Sequence, residues 1–130
     1  LKHFVQYHKK EKMGYPALDV DNLSIYTNKS VAATEGDWIW LIAGEGSPRE
    51  YYLRAVFKFH KYTPSEKPDF THRLSGGFGQ LFDPMPKLNE QPWLPDLLKS
   101  QGNFAFGFSQ ITQSEVLNGL RKVLEENKMA

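Results

Sequence analysis

Residues 38–43, Trp38-Ile39-Trp40-Leu41-Ile42-Ala43, are apolar at every position, so a strand made from them carries hydrophobic side chains on both faces. Such a run suits a central strand covered twice. A polar break with Gly44, Gly46 and Pro48 follows, and then residues 51–62 alternate. Tyr51, Leu53, Ala55, Phe57 and Phe59 fall on one face and Arg54, Lys58 and His60 on the other, the pattern of a half-buried strand. Two glycines and a proline between the runs make an antiparallel hairpin the simplest link. The expectation is a barrel or strongly bent sheet with one wet side, organised around this hairpin.

At 130 residues and 40% apolar content, the chain is expected to form one domain over residues 1–130. A chain of that size buries about two thirds of its unfolded surface and folds without staples. It contains no cysteine, which excludes disulfides, thiolate zinc sites and cysteine nucleophiles. No apolar run reaches the length of a membrane span and no signal peptide is visible, which points to a soluble, cytoplasmic protein. Because the chain starts at Leu1 and stops just after an expected helix, it reads as a piece of something larger. The formal charge of +1 neither demands nor forbids a nucleic-acid partner, so only a local basic patch would make that case.

Residues 2–8 predict a first strand with Phe4 and Gln6 opposite Val5 and Tyr7. It runs into Lys9, Lys10, Glu11 and Lys12, which beside Tyr7 and Tyr15 form either a solvated bend or a phosphate-gripping rim. Asp19, Asp21 and Asn22 favour turns, and residues 28–33 allow a short helix capped by Asn28. Residues 63–92 carry Pro64, Pro68, Pro84, Pro86 and Pro92 with Gly76, Gly77 and Gly79, and read as a long irregular loop. The glycines do not make a phosphate loop, since neither Lys-Ser nor Lys-Thr follows them. Pro95 and Gly102 bracket a short helix with Leu97 and Leu98, and residues 104–108 predict a strand with three phenylalanines on one face. At the end, Thr112 and Glu115 are spaced as a capping box and Ile111 and Val116 as a staple. Val116, Leu117, Leu120, Val123 and Leu124 form one stripe of an amphipathic helix, and Gly119 within it implies a close neighbour.

His3, His8, His60 and His72 lack ligand-like spacing, so neither metal nor cofactor is expected. No nucleophile elbow marks a serine, and the loop acids Glu11 and Asp37 read as solvated. The chain by itself is not expected to be an enzyme. Aromatics near strand ends with basic residues alongside are more typical of a binding module.

The first strand Phe4-Val5-Gln6-Tyr7, a link entering Gly36-Asp37, the apolar strand, a turn, the long second strand and a helix-strand-helix ending resemble the EVE and YTH-like branch of PUA-type domains. The opening Phe4-Val5-Gln6-Tyr7-His8 and the link Thr27-Asn28-Lys29-Ser30-Val31 are most similar to the N-terminal readers of modification-dependent restriction endonucleases, where such a domain precedes an HNH nuclease. No HNH motif occurs here, so a fused catalytic domain would lie outside these residues. The resemblance implies an α+β, PUA-like bent antiparallel-rich β-barrel of roughly five or six strands with flanking helices, the C-terminal one included. It also implies modified double-stranded DNA as the partner, with RNA possible, and a flipped base held in an aromatic pocket. On that basis Tyr26 and Trp40 are candidates for stacking, Gln6 or His8 for reading the base's polar edge, and Tyr7 for the wall. Trp40 has simple core packing as its alternative. Lys9, Lys10, Lys12 and Lys29, with Arg49 from the hairpin turn, are the candidate backbone contacts. A PUA-like RNA-binding module and a protein-interaction or small-ligand domain, in which every aromatic is core, stand as alternatives.

Overall fold

The structure, a computed structural model, describes residues 1–9, 13–28, 33–102 and 108–128. The apolar run forms strand β3 (Trp38–Glu45) in the middle of a sheet, between β1 (His3–Lys9) and β4 (Glu50–Pro64). Beyond β4 lies β5 (His72–Leu81) and then β2 (Ser24–Thr27), while β6 (Phe108–Ile111) flanks β1. The order is β2-β5-β4-β3-β1-β6, antiparallel throughout except for the parallel pair β1 and β3. Among the described residues two α-helices bracket β6 in the chain, α1 (Leu94–Ser100) before it and α2 (Ser114–Glu126) after it.

The α+β class and the six strands agree with expectation, but the barrel does not. The sheet is open, because among the described residues β2 pairs only with β5 and β6 only with β1, leaving two edges. Both faces of β3 are covered as its sequence requires. Trp40 and Ile42 join Val5, Leu53 and Val56 under the helices, against Leu97, Val116, Leu120 and Val123. Ile39 and Leu41 join Phe4, Ala55, Phe57, Phe59, Leu74 and Phe108 on the other side, closed by Ile25 and flanked by Val20 and Leu23. The Phe4 and Phe108 rings stack there at 5.2 Å.

The alternation expected of residues 51–62 is broken by a bulge. Leu41 pairs with Ala55 but Ile42 with Leu53, so Arg54 is the extra residue and the strand reverses its faces at that point. Leu53 therefore packs under the helices while Ala55, Phe57 and Phe59 pack on the opposite side. From Leu53 to Phe57 both faces are buried, and Arg54 itself is only 5% exposed, whereas Lys58 is half-buried and His60 exposed as expected. Its guanidinium donates to the carbonyls of Phe82 (2.7 Å), Leu18 (3.2 Å) and Val20 (2.6 Å).

The expected loop over residues 63–92 contains the ten-residue strand β5. Its glycines serve close approach within the sheet: a Cβ on Gly76 would lie 1.7 Å from the Lys58 carbonyl oxygen, and one on Gly79 1.8 Å from that of Val56. Between them Phe78 has φ 52° and is 89% exposed.

Helix α2 packs as foreseen, but its buried line is Val116, Leu120 and Val123, with Leu117 and Leu124 beside it. The capping box does not form. Gln113 takes the cap position and its side-chain amide donates instead to the Asp96 carbonyl on α1 at 3.3 Å. The neighbour that Gly119 accommodates is Trp93, whose ring would lie 2.1 Å from an added Cβ. Asp37 is buried rather than solvated, and accepts from the Lys2 backbone N–H (3.0 Å), the Thr34 N–H (2.9 Å) and the Thr34 hydroxyl (3.2 Å). The short helix expected at residues 28–33 and most of the strand expected at 104–108 lie outside the described residues.

Candidate functional site

Along β1 the side chains alternate, so Phe4, Gln6 and His8 share the face opposite Val5 and Tyr7. Phe4 goes into the core. Gln6 and His8, nearer the strand's C-terminal end, line a cavity of about 310 Å³. Leu41 from β3 and Ser24, Ile25 and Tyr26 from β2 also line it, with Met13, Tyr15 and residues 19–22 from the segment between β1 and β2. The last contributor is Lys67, from the turn between β4 and β5.

Each wall is held by identifiable contacts. The 3-10 turn Ala17–Asp19 buries Ala17, and Arg54 reaches from the bulge in β4 to grip the carbonyls on either side of Asp19. The bulge thus positions a cavity wall without touching the cavity. Tyr15 follows Gly14, whose φ of +85° suits glycine, and the Tyr15 carbonyl lies 2.8 Å from His8 Nε2. A carbonyl only accepts, so Nε2 carries the proton in that contact. Burial lowers the His8 pKa, against the opposing pull of the Tyr15 carbonyl and Glu45, and this favours a neutral ring. The turn carrying Lys67 is braced by Ser65, which accepts from the Lys67 N–H at 2.9 Å. Asn28 ties it to the end of β2 by bonding Thr71 N–H (2.8 Å) and the Asp69 carbonyl (2.9 Å).

The Lys67 ammonium lies 4.8 Å from the centre of the Tyr15 ring and 5.0 Å from that of Tyr26. Two aromatic faces therefore serve one cation at the cavity wall. Tyr26 donates its hydroxyl to Glu66, and burial followed by that bond pushes its pKa up to about 12. The same bond, first among the causes, holds the Glu66 carboxyl below its ordinary range. Burial and then Glu66 raise the Tyr15 hydroxyl as well. Both rings stay neutral under ordinary conditions and present their faces. Gln6 donates from Nε2 to the Tyr26 carbonyl at 3.1 Å, while its Oε1 is buried with no donor among the described residues.

Of the residues expected at the pocket, the structure brings together Gln6, His8 and Tyr26. It does not bring Trp40 or Tyr7 there. Trp40 is 1% exposed in the core beneath the helices, with its indole N–H on His3 Nδ1 at 3.0 Å. Tyr7 packs against the same core, with its hydroxyl over Gly44. Lys9 is exposed at the end of β1, immediately after His8, and pairs with Gly44 where the hairpin turn bearing Arg49 begins. Lys10, Lys12 and Lys29 lie outside the described residues.

No family model and no curated protein matches the chain.

The residues that sequence reasoning missed are Tyr15, as a pocket aromatic, and Lys67. Tyr15 was visible as an aromatic beside the lysines, though not as a wall. Lys67 gave no signal, because its place depends on the β4–β5 turn lying beside β2, which was itself unforeseen. Among the described residues no three His, Asp or Glu side chains gather as a metal site, and no helix is long and apolar enough to cross a membrane.

Proposed function

We propose that this chain is a noncatalytic, cytoplasmic DNA-binding domain of the PUA-like, EVE/YTH type that takes a flipped modified base into the cavity beside β1. In this reading it is the specificity module of a modification-dependent endonuclease, whose cutting residues lie elsewhere. The observation that carries the reading is the pairing of Tyr15 and Tyr26 around one position, above a floor with the buried polar groups of Gln6 and His8. Flat aromatic faces suit a base, and buried polar atoms suit its edge. The volume of 310 Å³ sits at the small end of the range of about 300–1,000 Å³ for ligand sites, as a single base requires. Extrusion costs a few kcal/mol, which stacking worth about 1–3 kcal/mol per base offsets. Lys67 leaves the rings when the base enters and is then free to meet a phosphate.

The lysines after β1 supply sequence-independent affinity. Replacing Lys9, Lys10, Lys12 and Lys29 together by alanine is expected to lower the slope of log affinity against log salt by about 1 per lost phosphate contact, with the preference for modified DNA kept. The direct test is competition between a modified duplex and RNA of matched length. Displacement by the RNA at equal concentration would favour an RNA-binding module instead.

One observation favours a second reading, a small-ligand site for an organic cation. The two tyrosines already hold an ammonium, and Asp19 and Asp21 line the same cavity. Binding of tetramethylammonium at low salt, with no binding of any duplex, would select it.

A further inference from the structure

We propose that Lys67 is a resident competitor in the cavity. Its ammonium holds the Tyr15 and Tyr26 faces in the free protein, so a free nucleoside is disfavoured, whereas a base on a strand brings a phosphate for the displaced cation. This rests on the base-reading function above and assigns its control to one side chain. The Lys67 ammonium sits 4.8 Å from the Tyr15 ring centre and 5.0 Å from that of Tyr26, and all three residues line the cavity. A ligand that stacks on those ring faces must first take the place of the cation.

The rings do not depend on Lys67 for their positions. Tyr15 meets His8 edge-on at 5.2 Å, while Tyr26 packs against Phe70 at 6.2 Å and donates its hydroxyl to Glu66. The Lys67 backbone is fixed as well, with its N–H on Ser65 Oγ (2.9 Å) and its carbonyl accepting from the Phe70 N–H (3.2 Å). Displacement therefore moves only the flexible four-carbon stem. Among the described residues no carboxylate lies within ion-pair distance of the Lys67 ammonium. Glu66 beside it accepts from the Tyr26 hydroxyl. Asp19 and Asp21 line the same cavity but are exposed, and exposed ion pairs contribute little. An uncharged ligand thus takes the rings from the cation and offers nothing in return. Cation–π contacts are worth about 2-fold in affinity at exposed sites and about 30-fold when desolvated, and Lys67 is half-buried. A strand differs, because its phosphate gives the displaced ammonium a charged partner.

Wild type and Lys67→Met, which keeps a long stem and removes the charge, are titrated with three probes. These are 5-methyl-2′-deoxycytidine, tetramethylammonium, and a duplex carrying 5-methylcytosine opposite an abasic site. The Lys67 ε-methylene protons are followed by NMR, since protons above a ring face are shifted upfield. In the free wild type they are expected upfield, and they should move back as a probe enters. Lys67→Met should bind the nucleoside and tetramethylammonium about 2- to 30-fold more tightly. It should show no such gain for the duplex, with the slope of log affinity against log salt lower by about 1. Unshifted ε protons in the free protein, or nucleoside binding that is unchanged or weaker in a folded Lys67→Met, overturn the proposal and leave base reading intact. An equal gain for the duplex with an unaltered salt slope overturns it too. Gains for the nucleoside and tetramethylammonium, with no duplex bound by either protein, uphold the competitor and sink the DNA reading. Binding of no probe by either protein overturns both. If Lys67→Met fails to fold, the wild-type proton shifts decide the matter alone.

Discussion

A neutral imidazole accepts at one nitrogen only, and this fixes the state of His3. The Trp40 indole N–H points at Nδ1, so Nε2 carries the proton and the Arg121 Nη2 group 3.2 Å from it is a donor facing a donor. Burial, then the charge of Arg121, pushes the His3 pKa down, in keeping with that neutral tautomer. Trp40 is thus locked in the core by both packing and its one polar atom. Trp40→Ala is expected to cost about 3–5 kcal/mol in urea unfolding, whereas Tyr26→Ala, at the cavity wall, should leave the melting transition nearly unmoved. Asp37 makes a second residue-scale case. Burial raises its carboxyl, but the Thr34 and Lys2 N–H groups, the Thr34 hydroxyl and the Lys2 ammonium outweigh that and hold it below the ordinary range. An asparagine must turn an NH₂ against one of those donors, so Asp37→Asn should cost about 1–3 kcal/mol. A loss under about 0.5 kcal/mol, the ordinary scatter of surface substitutions, would contradict this account.

At the scale of elements, β5 offers a contrast between three neighbouring glycines. Gly76→Ala and Gly79→Ala push a Cβ into the backbone of β4 and are expected to destabilise by about 1–3 kcal/mol. An added Cβ on Gly77 meets nothing within 4 Å, so Gly77→Ala should be neutral or stabilising by about 0.4–1 kcal/mol. Thermal melting of the three variants checks the order. The same strand shows where sequence reading stops. Its glycines and flanking prolines imitate a loop, because local propensity registers the glycine and not the carbonyl that the glycine admits. The central strand, the hairpin and the last helix were legible, since each carries its own hydrophobic period. The bulge at Arg54 was not, because one extra residue changes no composition and yet exchanges the faces of everything after it. That exchange moved Ala55, Phe57 and Phe59 to the face opposite Leu53, where they build a second core, and it aimed Arg54 at the wall of the cavity.

For the whole molecule, three groups with little exposed surface weaken the fold in acid. His3, His8 and Asp37 all have folded pKa values below their ordinary ones, so the unfolded chain binds more protons and acid favours it. The histidine contribution is complete above the ordinary value of 6.5 and is lost as pH falls through the lower folded values. That of Asp37 is lost further down, below 3.8. Urea unfolding at about pH 7.5 and about pH 5.5 should show lower stability in acid, and a His3→Asn, His8→Asn double variant should flatten that difference. A wild-type protein equally stable at both values would refute the assignment. The candidate site was half legible for a related reason. Gln6, His8 and Tyr26 came from resemblance and strand alternation, while Tyr15 and Lys67 meet them only through loops whose paths no local pattern encodes. The central claim is that the Tyr15 and Tyr26 faces hold a modified base, and affinity for matched modified and unmodified duplexes tests it most directly. Wild type should prefer the modified duplex, and Tyr15→Ala or Tyr26→Ala, still folded by melting, should lose about 1–3 kcal/mol of that preference, roughly 5- to 150-fold. Equal affinity of the wild type for both duplexes, or undiminished preference in both folded variants, would contradict it.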